Sequence, residues 1–262
     1  MKKFIALTVV LIIVSLGTGA PLFAQQRANP GAGNRLTVPF VDLTVREPQS
    51  NKEVALSLQL LLLLAVLTLS PSIILLTTCF LRIAIVFDFI KRALSLQQVP
   101  PNQVLMGIAL FLTVFIMWPT FTDIYTNSFK PFSDGKISVE EMYQNAEKPM
   151  RMFMYNQLAG DHKDIQLFMR MRGLPKPANF SEVPTYVLIP AFVLHEMTVA
   201  FKIGILLFIP FIIIDMVVAS ALMSMGMIML PPVMISMPFK IILFVLVDGW
   251  SLLTQQLVLS FR

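Results

Sequence analysis

The chain has 262 residues, 56% of them hydrophobic and 13% charged, with a net charge of +5 and a mean hydropathy of +0.76. A water-soluble domain carries roughly 25% charged residues, so much of this chain is solvated by something other than water, and its class is integral membrane protein. The lone cysteine, Cys79, excludes an internal disulfide and a Cys-based zinc cluster, and the polar stretch from Asp123 to Glu182 balances eight Lys or Arg with eight Asp or Glu, so no basic surface for nucleic acid stands out.

Residues 1–24 read as a bacterial secretory signal peptide. Lys2 and Lys3 precede an apolar run from Phe4 to Leu16, then small residues, with a cut expected between Ala24 and Gln25. Leu22 stands where such a site favours a small residue. The alternative is an uncleaved anchor, although the run is shorter than the ~20 residues of a spanning helix. Residues 25–53, rich in Pro, Gly, Asn, Gln and Arg, read as a flexible N-terminal periplasmic linker. Within it "GAGNRL" is no phosphate-binding loop, because Leu36 occupies the place of the third glycine.

Val54 to Leu81 is uncharged and long enough to cross a bilayer, with Ser70-Pro71 as the expected kink. It runs into "RIAIVFDFIKR", where Asp88 lies four residues before Arg92 and three before Lys91, spacings that let the charges pair on one helical face. Pro100 and Pro101 then end the helix. Val104 to Thr122 is a second uncharged run, with Trp118 as an interfacial anchor. Residues 54–122 therefore read as a first hydrophobic helical hairpin. The connection carries Arg82, Lys91 and Arg92 against Asp88, so the positive-inside rule places it in the cytoplasm and residues 123–182 in the periplasm. A signal peptide demands the same orientation.

The polar insert, 123–182, reads as mostly helical. Ser138 and Glu141 form a capping-box pattern opening a helix through "EEMYQNAEKPMRMFMYNQL", which Pro149 should kink. "DGKISVEE" resembles part of a calcium loop, but Lys130 and Phe132 fill the first and third ligand positions, which rejects calcium.

Residues 183–262 form a C-terminal helical hairpin, with spans expected at Val187 to Leu222 and Val233 to Phe261. Each is longer than a bilayer requires, so part of each should lie against protein or above the membrane. They contain Glu196, Lys202, Asp215, Lys240 and Asp248. A lone charge at mid-membrane costs from about 2.5 to more than 10 kcal/mol, so these side chains are expected to point at partners. The preferred pairing is Glu196 with Lys240, which the facing helices of the hairpin could bring to similar height within or between subunits. Snorkelling to an interface is the alternative for Lys202 and Lys240, and it fits Asp215 badly. His195-Glu196 lacks the second histidine of a zinc protease, Val199 standing in its place, and no serine or cysteine has a nucleophile's context; the chain does not read as an enzyme.

Between those spans lies "MSMGMIMLPP", residues 223–232, with a methionine-rich loop at 225–232. Three readings stand: core filling by adaptable thioethers, helix packing through Ser220, Ala221, Ser224 and Gly226, and an apolar constriction in a pore. Composition alone ranks the pore last.

The segments "RIAIVFDFIKRALSLQQVPPNQVLMGIALFLT", "FIPFIIIDMVVASALMSMGMIMLPP" and "MPFKIILFVLVDGWSLL" resemble the FliP family of flagellar export gate proteins, counterparts of SctR in virulence type III secretion. The similarity runs from about Val54 to the C-terminus. It implies an all-α integral membrane protein of about four long, kinked hydrophobic helices in two hairpins, with a helical periplasmic insert, assembling as a helical ring of about five copies. It further implies partnership with FliQ and FliR, passage of unfolded flagellar export substrates through the centre, surrounding membrane lipid, an inner-membrane site at the basal body, and no cofactor. The family's gate loop falls on Gly226, Met227, Ile228, Met229, Leu230, Pro231 and Pro232, with Ile228 departing from an all-methionine triplet. Ile is stiffer than Met at its first torsion, which lowers the compliance of the seal. The expected inter-helix or inter-subunit charges are Glu196, Lys240, Lys202, Asp215, Asp248, Arg82 and Asp88. The alternative function is an ion- or proton-coupled small-solute transporter using buried Asp, Glu and Lys. A transporter commonly shows repeated halves, and none is visible here. An assembly factor that never lines a pore is a further competitor.

Overall fold

A computed structural model describes residues 37–38, 41–42, 51–96, 99–158, 162–227 and 229–261. The signal segment with Ala24 and Gln25, most of the linker, and Ile228 lie outside the described residues. The chain divides into two units, Met1–Leu61 and Leu62–Arg262. In the first, β1 (Thr37–Val38) pairs antiparallel with β2 (Val41–Asp42), Thr37 opposite Asp42 and Val38 opposite Val41.

All longer elements among the described residues are helices. Helix α1 spans Asn51–Leu76, α2 Phe80–Ala93 and α3 Asn102–Ile124. A π-helical turn, Tyr125–Phe129, joins α3 to α4, Lys130–Ser133. Helix α5 spans Val139–Gln157 and α6 Lys163–Met171. A 3-10 turn at Phe180–Glu182 precedes α7, Thr185–Ser224. Helix α8 spans Pro232–Leu246 and α9 Gly249–Leu259. Among the described residues three stretches are long and apolar enough to cross a membrane, Val54–Leu76, Asn102–Ser133 and Thr185–Ser224, and α8 with α9 makes a fourth if that bent pair is one span.

Two expected spans are corrected. Val54 to Leu81 is not one helix: α1 stops at Leu76, and the Thr77 and Thr78 hydroxyls donate to the carbonyls of Ile73 and Leu75 at 2.9 and 3.3 Å. Such side-chain bonds offer the backbone an alternative to helix continuation. Val233 to Phe261 is likewise two helices meeting at 64°. Asp248 takes a left-handed conformation there (φ 50°), one that Asp tolerates better than most residues.

Helix α2 is the hub of the main core. Its Ile83, Val86, Phe87, Ile90 and Ala93 are buried in a cluster that includes Leu105, Ala109 and Met117 of α3, Ala200 and Phe211 of α7, Phe244 of α8, and Leu253 and Leu257 of α9. The side of α2 against α7 fits closely at Gly204, where an added Cβ would stand 2.5 Å from Phe89. Because α2 is a packed helix and buries Arg82, the charges counted for orientation do not lie in an exposed loop.

The polar insert has its own core, in which Met154 and Leu158 meet Ile165, Met169 and the first turns of α7 at Val187, Leu188, Ala191 and Phe192. Helix α5 opens with the expected capping box: the Ser138 hydroxyl accepts from the Glu141 N–H at 3.2 Å, and the Glu141 carboxylate accepts from the Ser138 N–H at 2.8 Å. Arg151 ties the insert to the start of α7, donating to the Thr185 hydroxyl at 2.9 Å and the Val183 carbonyl at 2.5 Å. With 40 residues, α7 is about 60 Å long, about twice the hydrocarbon thickness of a bilayer. Only part of it can lie in lipid, and its first turns are committed to the insert.

Candidate functional site

Arg82 lies on the first turn of α2 and Glu196 on α7, and both are buried. Arg82 Nε donates to Glu196 Oε2 at 2.8 Å, and Nη2 donates to Glu196 Oε1. The remaining donors reach the Ser260 carbonyl at 2.8 Å, the Ser260 hydroxyl at 3.1 Å and Gln157 Oε1 at 3.3 Å. All five guanidinium N–H groups are thereby used. The guanidinium also lies 3.9 Å over the Phe261 ring, and Gln157 Nε2 donates to the Phe261 carbonyl at 3.3 Å. One side chain thus joins α2, α5, α7 and the residues after α9. A cavity of about 680 Å³, lined in part by Arg82, Asp123, Gln157, His195 and Phe261, borders this hub.

Lys240, on α8, has a second set of partners. Its Nζ donates to Asp215 Oδ2 on α7 at 2.7 Å and to the Ser95 hydroxyl after α2 at 2.9 Å. The Ser236 hydroxyl donates to Asp215 Oδ1. Lys240 and Ser236 are buried, and Asp215 is half-buried.

The expected Glu196–Lys240 pairing is therefore wrong within the chain: each has taken another partner. A spacing argument saw only the two facing helices of one hairpin, whereas α2 packs on α7 and brings Arg82 to Glu196 from 114 residues away. Lys202 and Asp248 are exposed with no charged partner among the described residues, which for Lys202 fits the snorkelling alternative. Asp88 accepts from Arg92 Nε at 2.7 Å on the exposed side of α2, as the four-residue spacing predicted, but Lys91 turns to Asn102 Oδ1 at 2.6 Å instead.

The methionine segment caps α7. Gly226 has φ +75°; its N–H donates to the Met223 carbonyl at 3.1 Å, and the Met227 N–H donates to the Leu222 carbonyl at 3.0 Å. That pair of bonds satisfies the last carbonyls of a helix and needs a left-handed residue, the role of glycine. Pro231 and Pro232 then start α8, where a missing N–H costs no helical bond. Met229 is 98% exposed and Met227 38%, and Met223 and Met225 are exposed too. These thioethers fill no core in this chain. Ser220, Ala221, Ser224 and Gly226 are also exposed, so the small residues make no packing seam here.

Ser95, Ser236, Gln157, Ser260 and Phe261 complete the two polar clusters without any signal in the sequence; Ser260 is 178 residues from Arg82 and Ser95 is 145 from Lys240. Among the described residues no group of three His, Cys, Asp or Glu could hold a metal ion.

Apolar helices of spanning length, charges closed on one another, and an exposed methionine turn define a helical integral membrane protein. A FliP family profile matches residues 63–257. The chain is similar to the flagellar biosynthetic protein FliP of Treponema pallidum, 61% identical over 251 residues that cover 92% of each chain. It is 63% identical to that of Treponema denticola over 224 residues, 86% of this chain and 83% of the relative. With that of Bacillus subtilis the identity is 52% over 210 residues, 80% of this chain and 94% of the relative. The chain belongs to the FliP family.

Proposed function

We propose that this chain is the pore-forming and gating subunit of a flagellar protein export apparatus, a structural component and not an enzyme. Its relatives carry the name flagellar biosynthetic protein FliP. The observation that carries the gating role is the methionine turn: a hairpin tip held by Gly226, Pro231 and Pro232 presents Met227 and Met229 away from the core of the chain. Repeated around a ring of about five copies, Met227, Ile228 and Met229 close an apolar constriction that excludes ions by dewetting. Unbranched thioethers yield to many passing sequences without binding any tightly.

The subunit sits in the bacterial inner membrane at the basal body, with the insert in the periplasm, and works beside FliQ and FliR. A solute-transporter role is disfavoured by the charges, since Arg82 closes on Glu196 and Lys240 on Asp215. The deciding experiment replaces Met227, Ile228 and Met229 together by Gly in assembled complexes in lipid. Ion leak should rise while native mass spectrometry finds the same assembly; unchanged conductance would sink the gate assignment.

A further inference from the structure

Among the described residues four helices end in the same hydrogen-bond pattern, and three of them use glycine. At Gly226, Gly173 and Gly135 the φ values are +75°, +67° and +71°. In each, the N–H of the next residue reaches back five positions: Met227 to Leu222, Leu174 to Met169, and Lys136 to Pro131. Helix α2 ends likewise, with the Leu96 N–H on the Lys91 carbonyl at 3.1 Å and the Ser95 N–H on the Arg92 carbonyl at 2.9 Å, but the left-handed residue is Ser95, at φ 59°. A Cβ at such a position crowds the backbone, and glycine avoids the strain. The serine contributes a hydroxyl, which accepts from Lys240 Nζ at 2.9 Å.

We propose that Ser95 is a positioning residue for the methionine turn, an inference that rests on the gate reading above. Its hydroxyl holds Lys240, Lys240 holds Asp215 Oδ2, and Ser236 holds Asp215 Oδ1. Asp215 belongs to the helix entering the methionine turn. Ser236 and Lys240 belong to the helix leaving it, with Ser236 about one helical turn past Pro232. The chain of four side chains thus clamps both legs of the hairpin to each other and to the end of α2. Lys240 is 1% exposed, so no water replaces the Ser95 acceptor freely.

The test compares S95G and S95N in the full chain, assembled in lipid vesicles, reading hydrogen exchange at the Met225, Gly226 and Met227 amides together with ion leak. A residue serving only as a helix end predicts that S95G is at least as protected and tight as the parent. A brace predicts the reverse: S95G, despite its relaxed backbone, exchanges about tenfold faster at the turn and leaks. S95N tolerates the left-handed conformation and supplies a side-chain carbonyl, so it should restore both. Unchanged exchange in S95G, faster exchange without leak while the Met227–Met229 glycine variant does leak, or S95N behaving as S95G, each overturns the proposal. If S95G loosens the turn and neither it nor the glycine variant leaks, the brace stands and the gate reading fails.

Discussion

Arg82 and Glu196 meet from 114 residues apart through two hydrogen bonds, Nε to Oε2 at 2.8 Å and Nη2 to Oε1, in side chains that are 3% and 0% exposed. Burial makes the pair mutually dependent. Either charge alone keeps its desolvation cost and loses its attraction, which typically costs 3–5 kcal/mol, so about 3 kcal/mol is expected on removing one partner.

Arg82→Lys should therefore destabilise the chain almost as much as Arg82→Ala. A lysine keeps the charge but cannot hold two carboxylate oxygens, the Ser260 carbonyl and Gln157 with one planar fork. Thermal unfolding in detergent measures this, and an R82K midpoint equal to the parent's would refute it. The exchange E196K with K240E gives a sharper contrast. It sets two cations together at Arg82 and two carboxylates together at Asp215, so it should be less stable than either single variant.

Asp215 and Lys240 should be strongly coupled. Asp215→Ala strands a buried ammonium, whereas D215A with K240M replaces the pair by apolar groups and should recover much of the loss. A double-mutant cycle is expected to give an interaction of about 1–3 kcal/mol. Additive single effects would mean that the 2.7 Å contact contributes nothing to stability.

Gly204→Ala tests the α2–α7 seam. The new Cβ would lie 2.5 Å from the Phe89 ring, which is already wedged edge-on against Phe201 with centroids 5.1 Å apart. Overpacking of this kind costs about 1–3 kcal/mol. F89L with G204A should recover part of it, because the smaller side chain vacates the space. A G204A midpoint equal to the parent's would mean that the Phe89 ring moves aside at little cost.

Ser138→Ala should act on the insert alone. Losing the capping box costs about 1 kcal/mol, and the effect should appear as faster hydrogen exchange in the first turn of α5, with α2 and α7 unchanged. Faster exchange spread over α2 would show that the insert and the main core unfold as one unit.

Much of the architecture was legible because its causes are local. An uncharged run of spanning length, a serine three residues before a glutamate, and a glycine followed by two prolines each act within a few residues, so α3, α5 and the α7–α8 turn lie close to where the chain's pattern put them. The break after Leu76 was missed, since hydropathy does not register that Thr77 and Thr78 bond back to the helix they end. The bend at Asp248 was missed for a related reason: a charge was read as needing a partner when it occupies a left-handed turn.

The buried charges mark the boundary between sequence and fold. Composition alone required that Glu196 and Lys240 not stand alone in an apolar region, because an unpaired ion there is too costly. It could not choose their partners. That choice depends on α2 lying along α7, which brings Arg82 to Glu196, and on the end of α2 reaching α8, which brings Ser95 to Lys240. The need for neutralisation is a property of each residue and its surroundings, whereas the identity of the neutralising group is a property of how distant helices pack.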